Sequence, residues 1–97
     1  MIRHTVVFTL KHAAGSAEEK SFLQAAKVLA DIPGLEKFEQ LRQTSRKNDY
    51  SFGFSMEFKD AAAYAAYNAH PDHTAFVHGR WIPEVATFME IDYEPLD

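Results

Sequence analysis

Two histidines and a tyrosine are the residues of this chain best suited to proton transfer. His4 lies on the otherwise apolar face of an alternating segment, and His73 follows a His-Pro pair in a helical region. Because an imidazole titrates near neutrality, it can remove a proton at physiological pH. Tyr67 could hold or protonate the enolate that then develops. We therefore predict His4, His73 and Tyr67 as a catalytic set, provided that the fold brings them to one pocket.

The same three residues also have a structural interpretation. A buried imidazole without a partner is costly, so His4 and His73 could bond to each other or to the backbone and fasten a helix to the sheet. Tyr67 could be a core residue with a satisfied hydroxyl. The two interpretations differ in whether these side chains reach a continuous cavity.

A catalytic pocket would also need apolar walls, which are typical of small-molecule sites. The candidates for these walls are Phe22, Phe54, Met56 and Trp81. No metal site is expected: His70 and His73, with His78 nearby, form a weak pattern, because a metal needs three or four converging ligands. No cofactor is expected either, since the chain has no Gly-rich phosphate loop or nucleotide motif.

The elements that carry these residues can be predicted from periodicity. Alternation over Ile2–Leu10 predicts a first strand, with His4 on its apolar face. Ser16 is a suitable N-cap for a helix that extends to about Asp31, before Pro33-Gly34. A second, irregular strand is predicted over Leu35–Thr44, and a clearly alternating third strand over Tyr50–Lys59.

The second half of the chain predicts an interrupted helical region and a last strand. Asp60 can cap a helix that carries Tyr67, and His70-Pro71 interrupts it because proline removes a backbone donor. Pro83 is expected to end the next helical segment, and Val85–Tyr93 alternates as a strand. The resulting β-α-β-β-α-β order predicts an α+β, ferredoxin-like fold with an antiparallel sheet and both helical regions on one face.

The two faces of this sheet differ in character. We expect the helix-facing side to carry the larger apolar residues: Phe8, Phe52, Phe54, Met56, Phe58, Met89 and Ile91. The opposite side would carry small, partly polar residues: Thr5, Val7, Thr9, Ser51, Gly53 and Ser55. A face open to water usually carries more charge, so we predict a homodimer through this face. The alternative is a monomer with a mildly polar exposed sheet.

Composition narrows the class of protein. A chain of 97 residues is expected to form a single domain, 1–97. The net charge of −4 gives no electrostatic basis for binding nucleic acid or an anionic membrane. Without cysteine there is no disulfide or thiol catalysis. No signal peptide or membrane-spanning run is apparent, so a cytoplasmic location is expected.

Four stretches carry a family resemblance, and together they span nearly the whole chain. They are Met1–Phe8, Ile32–Leu35 with Phe38-Glu39, Tyr67–Phe76 with its Tyr-x-x-His-Pro-x-His pattern, and Ile91–Tyr93. In this ordered set the chain resembles the stress-responsive α/β-barrel (Dabb) family. The resemblance implies a ferredoxin-like subunit and a homodimer, a dimeric α/β barrel whose two sheets form the central barrel.

The resemblance implies less about activity. One plant branch of the family acts as a cofactor-free polyketide cyclase, and its two histidines and tyrosine match His4, His73 and Tyr67. The main hypothesis is therefore a pocket for a small apolar or aromatic ligand, with cofactor-free acid–base chemistry. The alternatives are a non-enzymatic, stress-related binding module and an oxygen-using monooxygenase of the antibiotic-biosynthesis type.

Overall fold

A four-stranded antiparallel sheet forms one layer of the protein, and helices cover one of its faces. The computed structural model describes all 97 residues. The strands are β1 (Ile2–Leu10), β2 (Glu36–Arg42), β3 (Phe52–Phe58) and β4 (Val85–Tyr93). They lie in the order β2-β3-β1-β4. The predicted ferredoxin-like fold is thus confirmed, although β2 and β3 are each shorter than their sequence patterns indicated.

The helical layer consists of α1 and a longer arm made of several short segments. Helix α1 (Ala17–Ala26) continues into a 3-10 turn (Lys27–Asp31). The arm comprises α2 (Ala61–Ala69), α3 (Pro71–Phe76), a π-helical turn (Val77–Trp81) and α4 (Ile82–Glu84). We call residues 61–84 the helical arm. None of the helices is long and apolar enough to cross a membrane.

The helix boundaries follow from their capping residues. The Ser16 side chain accepts a hydrogen bond from the Glu19 amide at 3.2 Å, and the Glu19 carboxylate accepts one from the Gly15 amide at 3.1 Å. Asp60 caps α2 by accepting from the Ala63 amide at 2.9 Å. These side chains satisfy amides that have no partner within the helix.

Two prolines shape the helical arm. His70 takes an extended conformation before Pro71, and its Nδ1 accepts a hydrogen bond from the Asp72 amide at 3.1 Å, which caps α3. Pro83 was expected to end the last helical segment, but it lies within the short α4 turn, which extends to Glu84. Proline is tolerated there because the first turn of a helix leaves its amides unpaired.

The hydrophobic core lies between the sheet and the helical layer. Phe8 is completely buried at its centre. Its ring contacts four other aromatic rings, those of Phe22, Phe52, Phe54 and Trp81, at centroid distances of 4.8 to 5.8 Å. Aromatic pairs at this spacing stabilise a core beyond the area that they bury.

The prediction for β4 was wrong about which face its residues occupy. In the sheet, Val6 pairs with Glu90 and His4 pairs with Asp92. Directly opposed residues of an antiparallel pair point to the same face, so these two acids face the helices. Met89 and Ile91 therefore lie on the opposite face. Both faces of β4 carry apolar residues, so alternation alone could not assign them.

The face away from the helices is consequently more apolar than predicted. It exposes four large apolar side chains, with between 38% and 54% of their surface accessible: Leu41, Met89, Ile91 and Tyr93. Their orientation follows from the pairing registers of β2 with β3 and of β4 with β1. We call this surface the outer sheet face.

Candidate functional site

A cavity of about 370 Å³ lies between the helix-facing side of the sheet and the helical arm. Strand β1 contributes His4, the end of α2 contributes Tyr67, and α3 contributes His73. The Pro71 break makes this possible, because it redirects the chain after α2 and places α3 against the same cavity. The three residues singled out from the sequence therefore line one continuous space.

His4 is held by a carboxylate from β4. Its Nδ1 lies 2.6 Å from Asp92 Oδ1. The Tyr64 hydroxyl donates to Asp92 Oδ2 at 2.8 Å and lies 2.9 Å from the same imidazole nitrogen. Because a carboxylate only accepts hydrogen bonds, Nδ1 of His4 carries the proton and donates it to Asp92. In the neutral form of this imidazole, the lone pair is then on Nε2.

Nε2 of His4 is available to a ligand. The His4 side chain is largely buried, yet no protein group hydrogen-bonds to Nε2. Every fully buried side-chain nitrogen or oxygen of this protein has a hydrogen-bond partner. Nε2 is therefore not fully buried, and since His4 lines the cavity, this nitrogen opens into it. An Asp–His pair with an accessible Nε2 has the geometry of a general base.

His73 and Tyr67 form the other polar part of the cavity. Their rings contact each other at a centroid distance of 4.5 Å, and the Tyr67 ring lies 6.3 Å from that of His4. Nδ1 of His73 donates to the Asn68 carbonyl oxygen at 3.2 Å. One structural interpretation expected His4 and His73 to bond to each other, but they do not. Each is oriented by its own partner.

Burial shifts the protonation of this part of the cavity toward neutral forms. Desolvation lowers the pKa of His73 below the ordinary 6.5, and the nearby His4 lowers it further, against opposing contributions from Asn68 and Glu90. Burial likewise raises the pKa of the Tyr67 phenol, and the Glu90 charge adds to this effect. At neutral pH His73 is therefore uncharged and Tyr67 keeps its proton, so its hydroxyl can donate a hydrogen bond.

Three of the four predicted wall residues line the cavity. Phe54, Met56 and Trp81 contribute to its apolar surface. Phe22 does not: it is completely buried in the core, where its ring packs against those of Phe8, Phe76 and Trp81. Its helical spacing in α1 indicated burial correctly, but not burial beneath the cavity wall. The apolar walls are completed by residues that the sequence had not singled out: Val6, Leu29, Phe76, Val77, Ile82 and Phe88.

Sequence reasoning missed the polar residues that support the predicted set. The prediction that Met89 and Ile91 face the helices implied that Asp92 and Glu90 face away from them, which hid both the partner of His4 and the only acidic group lining the cavity. Tyr64 on α2 was not singled out from the sequence. An acid opposite a buried histidine in a paired strand would have been the signal, but it can be read only when the strand register is known.

The His-x-x-His pattern of His70 and His73 does not lie in a cluster of potential metal ligands. No group of three or more histidine, aspartate or glutamate side chains converges to hold an ion. His70 is occupied as the cap of α3, and the side chain of His73 bonds to the backbone. Both histidines of the weak His-x-x-His pattern thus have local structural partners.

Residues 2–95 match the family model described as the stress responsive A/B barrel domain, Dabb. The chain belongs to the Dabb family. Among solved structures, it is similar to a Dabb family protein with a ferredoxin-like fold from Mesorhizobium loti, with 67% identity and a TM-score of 0.98. That similarity covers 99% of this chain and 97% of the other. Among curated proteins, none has significant sequence similarity to this chain.

Two solved structures with lower sequence identity share the fold. A dimeric ferredoxin-like protein from Thermobifida fusca is 22% identical, with a TM-score of 0.79 over 97% of this chain and 90% of its own. A cofactor-independent oxygenase from Streptomyces nogalater is 21% identical, with a TM-score of 0.71 over 99% of this chain and 93% of its own. At this level of identity the similarity concerns the fold alone.

Proposed function

We propose that this Dabb protein binds a small, largely apolar molecule in its cavity and acts on it by cofactor-free acid–base chemistry of the polyketide-cyclase type. One observation carries the proposal: Asp92 holds Nδ1 of His4, and the opposite nitrogen opens into an apolar cavity. A positioned base of this kind typically accelerates proton transfer by about 10²–10⁴-fold.

The proposed reaction is an intramolecular carbon–carbon bond formation. His4 Nε2 removes a proton from a carbon next to a carbonyl group, and the electron pair moves onto the carbonyl oxygen. The Tyr67 hydroxyl donates a hydrogen bond to this enolate oxygen. The enolate carbon then attacks a second carbonyl of the same molecule, and the new alkoxide takes the proton back from His4. No oxidant or other reactant is consumed.

Asp92 would contribute by stabilising the imidazolium that forms on His4. The proton on Nδ1 keeps its carboxylate partner at 2.6 Å while Nε2 carries the substrate proton. His73 would act as a second hydrogen-bonding group, because its bond to the Asn68 carbonyl also leaves Nε2 as an acceptor. The apolar walls would exclude water, which strengthens these interactions.

A binding module without catalysis is the second candidate. Its supporting observation is that both histidines have partners, Asp92 for His4 and the Asn68 carbonyl for His73, as in a purely structural arrangement. An oxygenase is the third, supported by the fold of the Streptomyces nogalater enzyme. It would consume molecular oxygen, whereas the proposed cyclisation would proceed equally well under nitrogen.

We further propose that two copies associate through the outer sheet face. A structurally similar protein of the same fold is dimeric. The exposed apolar side chains of Leu41, Met89, Ile91 and Tyr93 give this face the composition of an interface. The cavity lies on the other side of the sheet, so each subunit would keep its own site.

The proposed function can be tested by ligand titration followed by NMR, with phenolic and polyketide-like compounds as probes. Saturable shifts of the His4, His73 and Tyr67 signals are expected, and compounds that bind are then tested for cyclisation. His4→Asn should reduce turnover at least about a hundredfold while binding is retained. His78→Asn is the matched control, because His78 is exposed and lies outside the cavity lining.

Two results would count against the proposal. Turnover that survives His4→Asn would exclude His4 as the base. Saturable binding of many probes without any histidine-dependent turnover would favour the binding module instead.

A further inference from the structure

The cavity lining carries one acidic residue, Glu90, and no lysine or arginine. The Glu90 carboxylate makes no hydrogen bond or ion pair with the protein, unlike Asp92 on the same face, which bonds to His4 and Tyr64. Glu90 is thus the one acidic group that a ligand in the cavity meets unpaired.

No basic residue next to the cavity compensates for Glu90. Arg80 belongs to the π-helical turn that supplies Val77 and Trp81 to the wall, but its guanidinium bonds to Glu84 and to the Ser21 hydroxyl. Neither cavity histidine supplies an unbalanced positive charge to the cavity. Burial lowers the pKa of His73 and so favours its uncharged form, and the Asp92 carboxylate beside His4 offsets any charge on that imidazole.

From this arrangement we infer that the cavity selects aromatic ligands whose polar group is cationic or a neutral hydrogen-bond donor, and excludes carboxylates and phosphates. Glu90 lines the cavity but is also exposed to solvent, so its carboxylate attracts an ammonium group and repels an anion most strongly at low ionic strength, where screening is weak. A cavity of about 370 Å³ also exceeds the roughly 150 Å³ that suffice for benzene, so a bicyclic aromatic body fits.

The inference rests on the proposed function only in requiring that the cavity binds a ligand. It adds the class of that ligand, which neither His4 nor Tyr67 specifies. It also restricts the proposed chemistry, since a substrate activated by a phosphate-containing carrier would have to keep that group outside the cavity.

Three naphthalene probes of one skeleton provide the test. They carry an ethylammonium, an ethyl alcohol or an acetate group, and calorimetry at low ionic strength measures their affinities. We expect the ammonium probe to bind at least about tenfold more tightly than the acetate probe, with the alcohol between them. Equal affinities, a preference for acetate, or no saturable binding of any probe would overturn the inference.

Glu90→Gln should abolish most of the preference for the ammonium probe over the acetate probe. Glu94→Gln is the matched control and should keep this preference. The control removes the same charge from a residue outside the cavity lining. A preference that persists in Glu90→Gln would assign the selectivity to another group and overturn the role of Glu90.

A readout without a ligand comes from the titration of His73. The Glu90 charge raises the pKa of His73, so this pKa should fall in Glu90→Gln and stay unchanged in Glu94→Gln. An unchanged value in Glu90→Gln would show that the charge does not act on the cavity. Turnover that depends on the histidines tests the proposed function separately. If no such turnover is found but the ammonium probe still binds more tightly than the acetate probe, catalysis is refuted and the selectivity for cationic ligands is retained.

Discussion

The proposed chemistry depends on which nitrogen of His4 carries the proton. His4 alone could adopt either tautomer, and only one of them leaves a base pointing into the cavity. Asp92 selects that tautomer with a 2.6 Å contact, and Tyr64 fixes the carboxylate from its other side. A residue that never reaches the cavity lining thus decides what a cavity residue can do.

Replacing Asp92 with Asn should therefore change the tautomer of His4 as well as the activity. The amide preserves the shape of the side chain but can also donate, so Nδ1 loses its obligatory acceptor. We expect nitrogen chemical shifts to report a mixture of both tautomers, and turnover to fall by about 10²–10⁴-fold. Tyr64→Phe, which leaves the carboxylate in place, is the control and should keep the Nδ1–H tautomer. An unmixed Nδ1–H signal in the Asn variant would contradict this assignment.

His73 should make stability depend on pH. Its pKa is lowered in the folded protein, so below the ordinary 6.5 the unfolded chain binds a proton that the folded protein resists. The stability that neutral His73 contributes is fully present above the unfolded pKa of 6.5, and it is lost as the pH falls toward the folded pKa. In His73→Gln, the free energy of unfolding should decline less between about pH 7 and about pH 5. Urea titrations across this range provide the measurement, with exposed His78→Gln as the control; identical slopes for wild type and His73→Gln would refute the prediction.

Among the elements, the helical arm does most to build the site. Its end at α2 supplies Tyr67, the Pro71 break redirects the chain, and α3 supplies His73. The π-helical turn Val77–Trp81 then brings two wall residues to the cavity. Short segments of this kind have little stability alone, so the arm depends on its caps and on packing against the sheet.

Loss of the Asp60 cap should weaken this arm measurably. Asp60 accepts the Ala63 amide at 2.9 Å, and Asp60→Ala leaves that donor to water. We expect a loss of about 1 kcal/mol in the free energy of unfolding, whereas Asp60→Ser should retain most of it. Chemical denaturation of both variants measures the difference. Equal stability of the Ala and Ser variants would mean that the cap does not stabilise α2.

At the scale of the whole molecule, the two sides of the sheet differ in what covers them. One side meets the helices and encloses the core and cavity, and the outer sheet face exposes a patch of apolar side chains. A domain of this length buries only about two-thirds of its unfolded surface, so covering that patch would add substantial stability. The proposed dimer follows from this imbalance.

Ile91→Glu should disrupt the proposed dimer without affecting the cavity. An unpaired charge in an interface costs several kcal/mol, so the dissociation constant of the dimer should rise at least about a hundredfold. Sedimentation velocity over a concentration series measures this change. Val28→Glu is the control, since Val28 is exposed to a similar extent but lies in the 3-10 turn that follows α1. A variant that stays dimeric, or a wild-type protein that is monomeric, would refute the proposed interface.

The order of the elements, the two faces of β1 and the three polar residues of the candidate site could be predicted from local patterns in the amino-acid sequence. His4, Tyr67 and His73 could be selected because their types and local spacing are properties of short segments. The partner of His4, the position of Phe22 beneath the cavity wall, and the outward direction of Met89 and Ile91 could not be predicted in this way. These depend on pairing between segments far apart in the chain. In β4 both faces carry apolar residues, and the register with β1, rather than the alternation, placed Glu90 and Asp92 on the side that faces the helices.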